Sequence, residues 1–409
     1  MTSEAQAHTD IAQAIQSQQR MQIGLAFFSF ILIGASDGAV GVLLPSISAY
    51  YGISKGTAGL LFPASALGYL TAAFCSGLLL ERFGRRAFLA LGGLILGVGA
   101  VAVFSRPPFP VLLPSMLCVG FGIAILDAGL NAYIAGLPRS TGLLNFLHAF
   151  YGAGALLGPV IAAAILALSW SWSVTYLIWA SVAIVVVIGF ATLFEPREAP
   201  VHHSAQGSGN VLGDALRVPA VWLCAIFLLV YVGTEVSLGS WSYSLLTQER
   251  HQVALYAAWM VSGYWLGLTL GRIALGRVGD RMGTRRLINL CLAGVVAGVL
   301  LVWVAPIGAV AALGLWLTGF SLGPIFPTTI AVISELVAPR LQQSAIGFAA
   351  SLGSMGAAAF PWIAGNLAQH LGLWTLLPFV VVLTAVMLVI WLRLQRSSGE
   401  ATTHGRTDR

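Results

Sequence analysis

The run Gly77-Leu-Leu-Leu-Glu81-Arg82-Phe-Gly84-Arg85-Arg86 returns 199 positions later as Gly276-Arg-Val-Gly-Asp280-Arg281-Met-Gly283-Thr-Arg285. Each copy stands between two long apolar stretches, so each reads as a short charged turn where the chain re-enters a membrane. A turn that recurs after half of a 409-residue chain implies two similar halves, the organisation of many membrane transporters.

The repeat extends outward from the turn. Gly34 corresponds to Gly233 and Gly120-Phe121 to Gly319-Phe320 at the same offset, while Gly154 and Gly158-Pro159 correspond to Gly356 and Phe360-Pro361 three positions further on, as a loop insertion would give.

Composition removes most other classes. Hydrophobic residues make up 58% of the chain and charged residues 8%, with a mean hydropathy of +0.89, too little charge for a soluble globular surface. A spanning helix needs roughly 20 apolar residues. The chain offers twelve such runs: 22–44, 57–80, 87–105, 110–137, 143–168, 171–194, 219–245, 254–276, 286–305, 308–337, 342–369 and 371–394. They lack the alternation of barrel strands, and backbone amides in lipid must be satisfied within each segment. The expected fold is all-α, twelve transmembrane helices in two six-helix bundles, numbered here helix 1 to helix 12. The expected division is an N-terminal tail at 1–21, a first bundle at 22–195, a linker at 196–218, a second bundle at 219–395 and a C-terminal tail at 396–409.

Basic residues near helix ends are retained on the cytoplasmic face. With the N-terminus inside, all but Lys55, Arg106 and Arg250 of the 20 Lys and Arg are assigned to the inner face, its loops and the tails. Both termini are therefore expected in the cytoplasm. The compact loops suggest a bacterial inner membrane. The net charge of +6 follows from topology, and no soluble basic domain is present to bind nucleic acid. The first apolar run exceeds a signal-peptide core and is expected to remain as helix 1. Cys75, Cys118, Cys224 and Cys291 all fall within expected helices, which argues against a disulfide framework. His202-His203 in the linker lacks further ligands at metal-binding spacing. No cofactor-binding motif or nucleophile with an adjacent base is present, so neither a cofactor nor an enzyme is expected.

These motifs together resemble the major facilitator superfamily, whose helix 2–3 loop carries G-x-x-x-D-R-x-G-R-[R/K] with a degenerate copy between helices 8 and 9. Glu81 replaces the usual Asp. The resemblance implies that Glu81, Arg82, Arg85, Arg86, Asp280, Arg281 and Arg285 form charge contacts that gate the cytoplasmic side. Glu335, followed by Pro339-Arg340, reads as a structural partner for those arginines.

Three carboxylates remain deep in the apolar runs: Asp37, Asp127 and Glu235. A charge at bilayer depth is expensive and marks a cavity or a proton site. Because no lysine or arginine is counted as a standing partner inside the spans, titration is favoured over fixed ion pairs. Asp127 and Asn131 lie four residues apart on one helical face. The segment Gly120-Phe-Gly122-Ile-Ala-Ile-Leu-Asp127-Ala-Gly-Leu-Asn131, with Asp37 ahead of Pro45, Asn145-Phe-Leu-His148 in helix 5, and Tyr231-Val-Gly233 and Trp241-Ser-Tyr243 in helix 7, is similar to the fucose permease group of proton-coupled sugar carriers.

That resemblance assigns proton coupling to Asp37 and Asp127, with Glu235 as a further proton or cavity residue. Amides, hydroxyls and aromatic faces suit a neutral polyhydroxylated solute. Asn131, Asn145, His148, Tyr231, Trp241 and Tyr243 are the candidates for binding it. The expected partners are a sugar-like solute, protons and the bilayer, and the expected working state is a monomer. A proton-antiport exporter of amphiphilic compounds and a non-transporting membrane receptor are the alternatives.

Overall fold

In the computed structural model every long apolar run is helical, and among the described residues no strand forms, as amides without water partners require. The structure describes residues 2–138, 140–195, 211–305 and 307–407, of which 2–15, 141, 276–281 and 397–407 are described by their backbone alone. Helix 1 is Thr2–Tyr51, helices 2 and 3 share Leu61–Phe104, helix 4 is Phe109–Ala135, helix 5 Ser140–Ala167 and helix 6 Val174–Leu193. Helix 7 is Pro219–Ser244, helix 8 Ala254–Met282, helix 9 Thr284–Val304, helix 11 Pro339–Leu371 and helix 12 Leu376–Thr407. Helix 10 is broken into Gly308–Leu322 and Ile325–Leu336 at Gly323-Pro324, where proline has no N–H to continue the ladder.

Ten stretches among the described residues are long and apolar enough to cross a membrane. This differs from the twelve runs for two reasons. Lys55–Phe104 counts once although it holds helices 2 and 3, and helix 8, diluted by Tyr256, Trp259, Tyr264, Trp265 and Arg272, is not apolar enough to be among the ten. The repeated turn supplies the bend. Gly84 has φ 75° and ψ 162°, and Gly283 has φ 81° and ψ 144°, backbone geometry that a Cβ disfavours strongly.

A second repeated device is close backbone approach. A Cβ on Gly68 would collide with the Leu117 carbonyl and sit 3.0 Å from the Phe121 nitrogen; one on Gly267 would collide with the Trp316 carbonyl and sit 3.0 Å from the Phe320 nitrogen. These positions match at the 199-residue offset. Helix 2 is thus seated on helix 4 as helix 8 is on helix 10.

Backbone packing groups the chain into two units, one of Met1–Asp37, Leu67–Ala155 and Ser173–His202, the other of Gly38–Ala66, Leu156–Trp172 and His203–Arg409. The division falls within helices 1, 2 and 5 as well as between His202 and His203, inside the expected linker. In the second unit the backbone N–H of Lys55 donates to Gln369 Oε1 at 2.9 Å and Ser262 Oγ donates to the Leu156 carbonyl at 2.7 Å. A Cβ on Gly41 would lie 2.6 Å from the Ser240 carbonyl oxygen. Segments from the first sequence half therefore pack with the second at the ends of helices 1, 2 and 5 remote from the N-terminus.

Of the expected linker, 196–210, including His202-His203, lie outside the described residues, and Val211–Leu216 forms a short helix. Its Asp214 lies 3.4 Å from Arg217 and 3.6 Å from Arg340. Glu335, near the end of helix 10, is exposed, and the described ion pair of Arg340 is to Asp214.

Candidate functional site

The first unit gathers two of the three acids found in the apolar runs, Asp37, which is exposed, and Asp127, which is half-buried. Helix 1 meets helix 5 where Gly34 faces the Tyr151 carbonyl, a contact with no room for a Cβ. Three residues on, Asp37 Oδ2 accepts a 3.0 Å hydrogen bond from the Tyr151 hydroxyl. Helix 2, held on helix 4 at Gly68, delivers the next residue, Tyr69, whose hydroxyl donates to Asp127 Oδ2 at 2.6 Å. One turn along helix 4, Asn131 Nδ2 donates to Asp127 Oδ1 at 2.9 Å and to the Asp127 carbonyl at 2.9 Å. Both oxygens of Asp127 therefore accept from neutral donors. His148 is within electrostatic reach of Asp127, and Asp127 is within reach of Asp37. Among the described residues neither acid pairs with a lysine or arginine.

The second unit treats its acid differently. Glu235, 9% exposed, lies with Oε1 3.5 Å from the Arg272 guanidinium, and Arg272 Nε donates to the Gly323 carbonyl at 3.3 Å. The expectation of unpaired acids inside the spans fails here, because Arg272 belongs to helix 8 and not to an inner loop. The pair is embedded among aromatics. The Tyr264 hydroxyl donates to the Glu235 carbonyl at 2.8 Å. Among the described residues, the buried Trp265 Nε1 has no hydrogen-bond partner, and the buried Tyr231 hydroxyl lies within reach of Glu235 and Arg272.

The remaining sequence candidates are dispersed. Asn145 and His148 are exposed on helix 5, with the His148 ring edge-on to Phe30 at 5.7 Å. Trp241 is buried and donates from Nε1 to the Pro361 carbonyl at 2.8 Å; Tyr243 is buried one turn away from Gly239. Beside Trp241 a cavity of about 90 Å³ is lined by Pro45, Lys55 and Gln369, smaller than the roughly 300 Å³ at which ligand pockets begin. Of the gating candidates, Glu81, Arg82 and Arg285 are exposed and Arg86 half-buried. The Arg85 guanidinium stands 5.3 Å from the Tyr133 ring centre, and Tyr133 donates to Gln22 Oε1 at 2.7 Å. The side chains of Asp280 and Arg281 lie outside the described residues.

Sequence reasoning passed over Tyr69 and Arg272. Tyr69 belongs to no motif, and only its contact with helix 4 reveals it. Arg272 was visible as a charge inside the run 254–276, the signal that singled out the three acids.

The chain matches the model of the Major Facilitator Superfamily over residues 26–258 and 223–408. It is 26% identical to "Bypass of stop codon protein 6" of Saccharomyces cerevisiae over 91% of this chain and 82% of that one. Identity is 25% to the 3-(3-hydroxy-phenyl)propionate transporter of Escherichia coli, over 86% and 87% of the two chains. It is 22% to the glucose/mannose transporter GlcP of Bacillus subtilis, over 92% and 95%. Among solved structures, the nucleoside transporter NupG superposes with a TM-score of 0.75 at 12% identity, covering 92% of this chain and 98% of that one.

Proposed function

The chain belongs to the Major Facilitator Superfamily, a multi-pass membrane transporter and not an enzyme, and we propose that it imports a sugar-like solute together with protons. The observation that carries this reading is the pair of acids in the first unit, Asp37 and Asp127, each held by a tyrosine hydroxyl and, among the described residues, neither paired with a lysine or arginine. A carboxyl with neutral donors changes charge at far lower cost than one locked to an arginine. When it loads a proton its charge disappears, and a neutral carboxyl crosses an apolar stage of the cycle that a carboxylate cannot. The carboxylates, the Asn131 amide and the tyrosines of the same unit are also the groups that hydroxyls bind. The glucose/mannose transporter among the relatives supports the solute class.

In this reading the halves 22–195 and 219–395 alternate access to a central site, and the arginine-rich turns with Glu81, Arg82, Arg85, Arg86, Asp280, Arg281 and Arg285 gate the cytoplasmic side. The protein works as a monomer in the plasma membrane with both termini inside.

Arg272 favours a second reading. A guanidinium amid Tyr231, Tyr264 and Trp265 suits an acid that carries both a carboxylate and an aromatic ring, the class of solute named for the Escherichia coli relative. One experiment separates the two. Protein in liposomes with an internal pH dye is challenged with neutral sugars and, separately, with 3-(3-hydroxyphenyl)propionate, wild type against Asp127→Asn. Sugar-dependent lumen acidification that is lost in the variant supports the first reading. Acidification by the aromatic acid alone transfers the proposal to the second, and silence with both in folded protein removes both.

A further inference from the structure

The Tyr69 hydroxyl donates to Asp127 Oδ2 at 2.6 Å, and it arrives from a different helix. A second donor to this carboxyl, Asn131, stands on the same helix as Asp127 and offers Nδ2 to Oδ1. The two donors are chemically unlike. An amide N–H only donates, so it serves the ionised acid best. A phenol donates one proton and accepts through its lone pairs. Turning its O–H reverses the bond.

We propose that Tyr69 is the positioning residue for protonation of the helix 4 acid: it donates to the carboxylate when Asp127 is ionised and accepts from the carboxyl when Asp127 is protonated. The proton comes from water. It is taken up on Oδ2, converting carboxylate and hydronium to carboxylic acid and water, and Tyr69 keeps its own proton throughout. Both charge states of Asp127 then retain a partner on Oδ2, so neither leaves an orphaned polar atom at membrane depth.

The backbone fixes this partner in place. Tyr69 follows Gly68, whose contact with the Leu117 carbonyl leaves no room for a Cβ, so the phenol is held at a set distance from helix 4. The repeat gives a built-in contrast. Gly267 makes the same contact with Trp316, yet it is followed by Leu268, and the position matching Asp127 is Phe326. The second unit keeps the contact and lacks both polar partners. The charged and titratable groups around Asp127 in its own unit are Tyr69 on helix 2, His148 on helix 5 and Asp37 on helix 1. Any of them left intact continues to influence the acid when Tyr69 is changed.

The proposal rests on Asp127 as a proton site, and its test needs no transported solute. Infrared difference spectra of the full chain in lipid films, stepped through pH, report the C=O stretch of protonated carboxyls. The component lost in Asp127→Asn belongs to Asp127. In Tyr69→Phe that component is expected to move to higher frequency as its hydrogen bond is lost. Its midpoint is expected to move up by about one pH unit or more, since the ionised acid loses a charge-assisted donor. Tyr69→Phe preserves the ring and its packing, and an unchanged unfolding midpoint confirms the fold. An Asp127 component with unaltered frequency and midpoint in Tyr69→Phe overturns the role of Tyr69 while leaving Asp127 a proton site. A spectrum in which Asp127→Asn removes nothing overturns both, and so identifies the premise as the failure.

Discussion

The two units share their backbone devices and differ in what they do with charge. Gly68 and Gly267 seat equivalent helices on equivalent carbonyls, and Gly84 and Gly283 both turn the chain with positive φ. On that common frame the first unit holds Asp37 and Asp127 with neutral hydroxyls and an amide. The second holds Glu235 beside Arg272. A duplicated scaffold thus keeps the contacts that fix helix distance and is free to change the polar side chains, because the former tolerate no added atom and the latter only require a partner. In the proposed reading the difference separates acids that change charge from one whose charge is balanced.

The largest expected effect comes from removing a titrating acid. Asp127→Asn abolishes solute-driven lumen acidification in liposomes, with signals falling to those of protein-free vesicles, while the unfolding midpoint stays near wild type. Next is the balanced pair. Glu235→Gln leaves a guanidinium at membrane depth without its counter-charge and destabilises the solubilised protein by about 3 kcal/mol, whereas Glu235→Gln with Arg272→Leu recovers most of the loss. Thermal unfolding in detergent checks both, and a double variant no better than the single one breaks the view that the two charges exist for each other.

Smaller and matched effects test the shared frame. Gly68→Ala and Gly267→Ala each force a Cβ against a backbone carbonyl and cost about 2 kcal/mol, read as equal losses in unfolding midpoint. A large loss at one and none at the other removes the structural equivalence of the two contacts. Gly84→Ala and Gly283→Ala each cost about 1 kcal/mol through backbone strain, the lower figure because nothing packs within 4 Å of Gly283.

Much of the frame was legible in the sequence because hydropathy and glycine spacing are local signals. The apolar runs all became helices, and the motif glycines stand where the chain turns. Helices 2 and 3 read as two runs, and they are two helices that meet at a kink at Gly84, where φ and ψ are non-helical. Arg272 escaped because one charge scarcely lowers the mean of a long apolar window and basic residues were assigned by position relative to the turn. Trp241 was read by its likeness to a motif, but its indole is buried on the Pro361 carbonyl, a contact 120 residues away in sequence that no pattern along the chain encodes. The grouping of 38–66 and 156–172 with the second half was hidden for the same reason: it depends on Ser240, Ser262 and Gln369 meeting helices that the sequence places elsewhere.

The central claim is that proton coupling resides in the first unit and that the charged pair of the second is a compensated element. Lumen acidification driven by sugar uptake, measured in the same liposomes for Asp127→Asn and for the double variant Glu235→Gln with Arg272→Leu, tests it directly. The account predicts no acidification with Asp127→Asn and retained acidification with the double variant. Acidification that survives Asp127→Asn and disappears in the folded double variant would contradict it and move the proton to Glu235.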